Sequence, residues 1–131
     1  MLKMVTLVVA LSMLSSLAAA AEHTKDSLQT VKQGLKSGKA ILIDVREQQE
    51  WKAGHLRDAK LVPLSKLRDK ASRDKLTKTL PKKKIIYCHC RSGGRVLIAT
   101  DILLPEGFDI RPLKSGYADL IQAGFQPAKK K

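Results

Sequence analysis

The chain has 131 residues, 44% of them hydrophobic and 28% charged, and its 25 Lys and Arg outweigh 12 Asp and Glu for a net charge of +13. These proportions fit one globular domain with a single core, and they exclude a disordered chain or a multi-span membrane protein. Cys88 and Cys90 are the only cysteines, which excludes a multi-disulfide framework and a four-cysteine zinc site within the chain.

Residues 1–21 read as a secretory signal peptide. Lys3 is their only charge, Val5 to Leu17 is almost wholly apolar or small, and Ala18 to Ala21 offers small residues for cleavage. An uncleaved anchor is the competing reading, but the apolar run is short for a membrane span. Cleavage after Ala20 or Ala21 is expected to leave one domain, residues 22–131, exported to a periplasm or secreted. No cysteine ends the apolar run, so a lipid has no attachment point, and no stable membrane insertion is expected after cleavage. All the acids lie beyond residue 21, so the domain stays strongly basic, with lysine runs at 82–84 and 129–131 that read as solvated surface. Nucleic acid is not an expected partner of an exported chain. The positive field instead concentrates small anions.

From Thr24 to Lys39, Leu28, Val31 and Leu35 fall at helical spacing, with Thr24 or Asp26 as cap and Gly38 as stop. Ala40 to Val45 is an apolar run carrying an acid near its end, which suits a strand buried on both faces. Arg46 to Lys52 reads as helix, a short extended piece follows near Leu61 and Val62, and Leu64, Leu67, Leu76 and Leu80 suggest one or two short helices before Pro81. Lys84 to His89 is the second convincing strand. The loop Cys90 to Arg95 leads into an apolar helix that halts before Pro105, then a strand near Phe108 to Leu113 and a last helix from Tyr117 to Ala123. This alternation predicts an α/β fold with a parallel sheet and helices on both faces. In such sheets the ligand site lies off the carboxyl ends of the strands, where Asp44 and Cys90 both arrive.

A thiol at a strand end, followed by glycines and a helix start, lets backbone N–H groups converge on one centre, which binds anions and favours thiolate. Arg91 and Arg95 add fixed positive charge, Ser92 lies between Arg91 and the glycines, and Gly93 and Gly94 permit close approach. Cys90 is therefore the expected nucleophile, against the bland alternative of an inert buried thiol.

In order and spacing, Leu42 to Glu47, Glu50-Trp51, Gly54 to Leu56 and Val62 to Leu64 resemble the amino-terminal signature of single-domain rhodaneses, which are sulfurtransferases. Cys90 to Arg95 resembles their six-residue active-site loop, and Leu113 to Tyr117 with Ala123 to Phe125 resembles their closing elements. Two departures stand out: Ser115-Gly116 replaces a paired glycine, and Gln126 separates Phe125 from Pro127. The resemblance implies a three-layer α/β sandwich around a mostly parallel sheet. It also implies a Cys90 persulfide that receives sulfur from thiosulfate or a similar anionic donor and yields it to a thiophilic acceptor, a protein among the candidates, with no cofactor.

Four residues separate Cys90 from Arg95, the cradle of a sulfurtransferase, whereas Cys88 would need a longer loop. Related phosphatases and arsenate reductases place five residues between Cys and Arg, and neither cysteine here has that spacing. Asp44 and Arg46 are expected to orient the loop by charged hydrogen bonds, and Glu50 to pair with Arg46 or Arg95. His55 reads as a turn residue making a structural hydrogen bond. Cys88-His89-Cys90 is poor metal-binding spacing because successive strand residues face opposite ways, so no metal is expected there. A Cys88–Cys90 disulfide would be strained and would block sulfur transfer. The competing function is a rhodanese-fold module that carries persulfide, a metal or an anion without turnover.

Overall fold

The computed structural model describes residues 20–130; all but the last two residues of the expected leader lie outside them. Four strands, β1 (Ala40–Asp44), β2 (Ala59–Leu61), β3 (Ile85–His89) and β4 (Asp109–Pro112), form a sheet in the order β2-β1-β3-β4. Every pairing in that sheet is parallel, so the expected mostly parallel sheet is wholly parallel in these four strands. Among the described residues the helices are α1 (Leu28–Ser37), α2 (Gln48–Ala53), α3 (Leu64–Arg68), α4 (Lys70–Thr77), α5 (Arg95–Leu103) and α6 (Tyr117–Gln122), with a 3-10 turn at Leu104–Glu106. Among the described residues no helix is long and apolar enough to cross a membrane.

Alternation along the strands divides the core into two layers. Ile43 and Val45, with Ile86 and Cys88, pack against Leu64, Leu67, Val96, Ala99 and Leu103 of α3 and α5. Ala40, Leu42 and Tyr87 face the other way, onto Val31 of α1 and Leu120 of α6. Burial of each large aliphatic side chain in these layers contributes about 1.5–3 kcal/mol. A strand sandwiched in this way must be apolar on both faces, and the unbroken run Ala40 to Ile43 is the sequence mark of it.

Helix α1 begins later than its spacing suggests. Its cap is Ser27, whose Oγ accepts from the Thr30 N–H at 3.1 Å. The two expected caps are engaged elsewhere: the Thr24 N–H donates to the Pro112 carbonyl at 2.8 Å, and Asp26 accepts from Tyr87 Oη at 2.7 Å and from Arg111 at 2.8 Å. The charge-assisted bond of Asp26 to Arg111 outweighs an exposed cap, and Thr24 Oγ1 accepts from the Asp26 N–H instead, so residues 22–27 form a strap without helix or strand, tied to the end of β4. Helix α2 likewise starts at Gln48 rather than Arg46, because Glu47 and Glu50 cap it reciprocally.

The connection from β1 leads outward to β2 on one side, while the one from β3 leads to β4 on the other. The crevice of a parallel sheet opens where the connections diverge. Asp44 and His89 are register partners at the carboxyl ends of the two central strands, so the segments beginning at Val45 and Cys90 leave the sheet side by side.

Candidate active site

Cys90 is the first residue beyond β3 and is 1% exposed. The chain turns back beneath it, and the Gly93 N–H donates to Cys90 Sγ at 3.1 Å. This turn requires Gly93 at a φ of +88°, where a Cβ would also lie 2.7 Å from the Lys114 carbonyl oxygen. Arg91 and Ser92 are exposed at the mouth, and Arg95 begins α5. The Tyr117 N–H donates to the Cys90 carbonyl at 3.0 Å, linking the loop to the start of α6. Gly116 makes that link possible: a Cβ there would stand 1.7 Å from the Arg91 carbonyl oxygen.

Glu50 is brought to the loop as a clamp. Its two carboxylate oxygens take Arg95 Nη1 at 2.6 Å and Nη2 at 2.8 Å, a bidentate pair that fixes the plane of the guanidinium. Of the two expected arginine partners, Arg95 is therefore the one it bonds. The same carboxylate caps α2, so the helix and the loop are held through one side chain. Arg95 lowers the Glu50 carboxyl from an ordinary 4.5 to about 2. Because the folded value lies below the unfolded one, the stabilisation is whole above about pH 4.5 and is lost as pH falls toward 2. Unfolding midpoints of the protein and of Glu50→Gln should differ by a steady amount at neutral pH and converge in acid; a gap that persists down to pH 2 would contradict this clamp.

Asp44 and Arg46 sit behind the loop rather than on it. The Asp44 carboxylate, fully buried, accepts from the Arg46 backbone N–H at 2.9 Å, from Nε at 3.0 and 3.1 Å, and from Nη2 at 2.8 Å. Arg46 also donates to the Gly54 carbonyl at 2.8 Å and lies 4.4 Å from the centre of the Tyr117 ring. The expected direct hydrogen bonds to residues 90–95 are absent, since both side chains are consumed by each other and by the chain at Gly54. Their support reaches Cys90 through Tyr117.

Cys88 lies within the core, 4.0 Å from both the Val96 carbonyl and Thr100 Oγ1, and burial pushes its thiol up to about 12. His89 faces Asp44, with Nε2 3.6 Å from the carboxylate, and burial lowers its pKa. Cys88 and Cys90 are unlinked thiols. They point into one core layer while His89 does not, so the three side chains do not converge. His55 stacks on Trp51 and bonds its carbonyl through Nδ1 at 2.9 Å, a structural contact of the kind expected. One neighbour of the loop had no sequence signal: His23 Nε2 donates to the Gly93 carbonyl at 2.6 Å. A cavity of about 770 Å³ bordered by Lys32, Leu35, Ala40, Leu56 and Phe125 is separate from the loop.

Residues 27–123 match the family described as the rhodanese-like domain. A rhodanese-related protein of Thermoplasma volcanium has the same fold, with a TM-score of 0.63 and 24% identity over 78% of this chain and 94% of that one. A human single-domain sulfurtransferase is similar with a TM-score of 0.59 and 26% identity, over 74% of this chain and 94% of that one. Among curated proteins, a putative mitochondrial thiosulfate sulfurtransferase of Schizosaccharomyces pombe is 35% identical over 75 residues, 52% of this chain and 53% of that protein. An uncharacterized Bacillus subtilis protein, YqhL, is 34% identical over 80 residues, 60% of this chain and 59% of that one. The chain thus spans less than two thirds of the length of these two curated relatives.

Proposed function

The chain belongs to the rhodanese-like domain family, and from that premise we propose that it is a sulfurtransferase that carries sulfane sulfur as a persulfide on Cys90. The observation that carries this reading is the Gly93 N–H aimed at Cys90 Sγ, 3.1 Å away, at the base of a six-residue loop closed by the clamped Arg95. Preorganised N–H donors stabilise a sulfur anion without rearrangement during the reaction.

In the first half-reaction the Cys90 thiolate attacks the outer sulfur of thiosulfate. A sulfur–sulfur bond forms to Cys90, the bond to the sulfite moiety breaks, and sulfite leaves with the electron pair. In the second, an acceptor such as cyanide attacks the outer sulfur of the persulfide, thiocyanate departs, and the thiolate is regenerated. This is covalent catalysis in two displacements. The near-complete burial of Cys90 admits the narrow terminal sulfur of a small donor and keeps the reacting atoms from bulk water. Arg91, exposed beside it, offers charge to a dianionic donor. The leader read in residues 1–21 sets this activity in a periplasm or outside the cell, with a small thiophile or a protein thiol as acceptor.

Incubation of the purified protein with thiosulfate should yield a species one sulfur atom heavier, and addition of cyanide should return the original mass and release thiocyanate. A sulfur-loaded protein that gives no thiocyanate would point to a carrier rather than an enzyme. Absence of both signals in the folded protein would overturn the proposal.

A further inference from the structure

The cradle around Cys90 has a mechanical weakness. The peptide between Gly93 and Gly94 is flanked by two residues without Cβ atoms, so sterics offer little resistance to its rotation as a unit. In a planar trans peptide the C=O and N–H point in opposite directions. A flip there would swing the Gly93 carbonyl oxygen to the face turned from His23 and disturb the residue whose own N–H donates to Cys90 Sγ at 3.1 Å.

One side chain grips that peptide from outside. His23 Nε2 donates to the Gly93 carbonyl at 2.6 Å, and the Nε2–H is present in the matching neutral tautomer and in the imidazolium alike. The strap bearing His23 is itself tied down by Thr24 to Pro112 at 2.8 Å, and by Asp26 to Tyr87 at 2.7 Å and to Arg111 at 2.8 Å. Arg111 also holds Asp109, so the strap rests on β4 rather than on the loop it steadies. The family match begins at residue 27, which leaves His23 outside it.

We infer that His23 is a positioning residue of the sulfur cradle: it pins the Gly93–Gly94 peptide by its carbonyl, and so holds Gly93 where its own N–H meets anionic sulfur on Cys90. The cost of a freely rotating glycine pair is thereby met by a residue 67 positions before the nucleophile. The inference rests on reading Cys90 as the sulfur-bearing nucleophile.

The test compares the full protein with His23→Ala, His23→Phe and His23→Gln. Phe retains a planar ring without the donor, and Gln restores a donor of similar reach. The readout is the rate at which iodoacetamide alkylates Cys90 near neutral pH, assigned by mass spectrometry, alongside amide hydrogen exchange at Gly94 and the thermal midpoint. Ala and Phe should slow alkylation about three- to tenfold, the worth of one hydrogen bond, and hasten exchange at Gly94, with Gln recovering most of both. Unchanged alkylation in Ala and Phe, or a loss that Gln does not recover, would overturn the inference; so would losses that track the thermal midpoint in all three variants. Alkylation reads the thiol directly. A protein that moves no sulfur yet shows this pattern would sink the sulfurtransferase reading and leave the positioning role standing.

Discussion

Replacement of Cys90 by serine is expected to lower thiocyanate formation by at least about three orders of magnitude, since a covalent nucleophile is removed outright. Cys88→Ala should leave the rate within about twofold while costing about 1 kcal/mol of stability through a small core void. The contrast follows from position on one strand and its continuation. Cys88 is enclosed by Val96 and Thr100, where burial keeps the thiol protonated, and a protonated thiol neither attacks a donor nor carries sulfur. Cys90, two residues on, meets the Gly93 N–H instead. The check is the cyanide-dependent assay on both variants with unfolding curves to confirm that each is folded. Loss of turnover in Cys88→Ala with Cys90→Ser active would reverse the assignment and dismantle the mechanism above.

Asp44→Asn is expected to destabilise the protein by about 3–5 kcal/mol, because it preserves shape but leaves a buried guanidinium without its counter-charge. Arg46 is 5% exposed and sends three side-chain hydrogen bonds to this carboxylate. Its remaining contacts, the Gly54 carbonyl and the Tyr117 ring, carry no charge to replace it. The loss should appear as a lower urea midpoint with an unchanged slope, and the thiocyanate assay in the absence of denaturant should be affected far less than by loss of Cys90. A change below about 1 kcal/mol would mean that neutral acceptors suffice for Arg46, and that the pair is not what holds the end of β1.

The contrast between Glu50 and Asp44 shows how far spacing carries an argument about a site. Glu50 lies one helical turn beyond Arg46, and helical spacing alone offered that arginine as one of two partners. The structure sends it to Arg95, 45 residues away, because the end of β1 and the end of β3 are register neighbours. Asp44 and Arg46 were legible as charged groups at a strand end, expected to orient the loop, yet their bonding to one another depends on an Arg46 side chain folded back toward Asp44. His23 was not legible at all, and Gly116 was legible only as part of the closing glycine element, without its place against Arg91. Each meets a backbone carbonyl in a distant segment, and a contact of that kind leaves no periodicity that names its partner.

What the sequence determined by itself was local and chemical: apolar runs long enough only for buried strands, a thiol followed by a glycine pair and an arginine, and the four-residue interval from Cys90 to Arg95 that sets the cradle's size. These follow from bond geometry and side-chain chemistry within a few residues. The tertiary structure alone decided which surfaces meet that cradle: the parallel register that sets Asp44 beside His89, the Glu50 clamp on Arg95, and the strap that brings His23 onto Gly93. Those contacts join residues separated by 45 positions and more, and their geometry is set by packing of both core layers against the sheet, a property of the whole chain rather than of any segment of it.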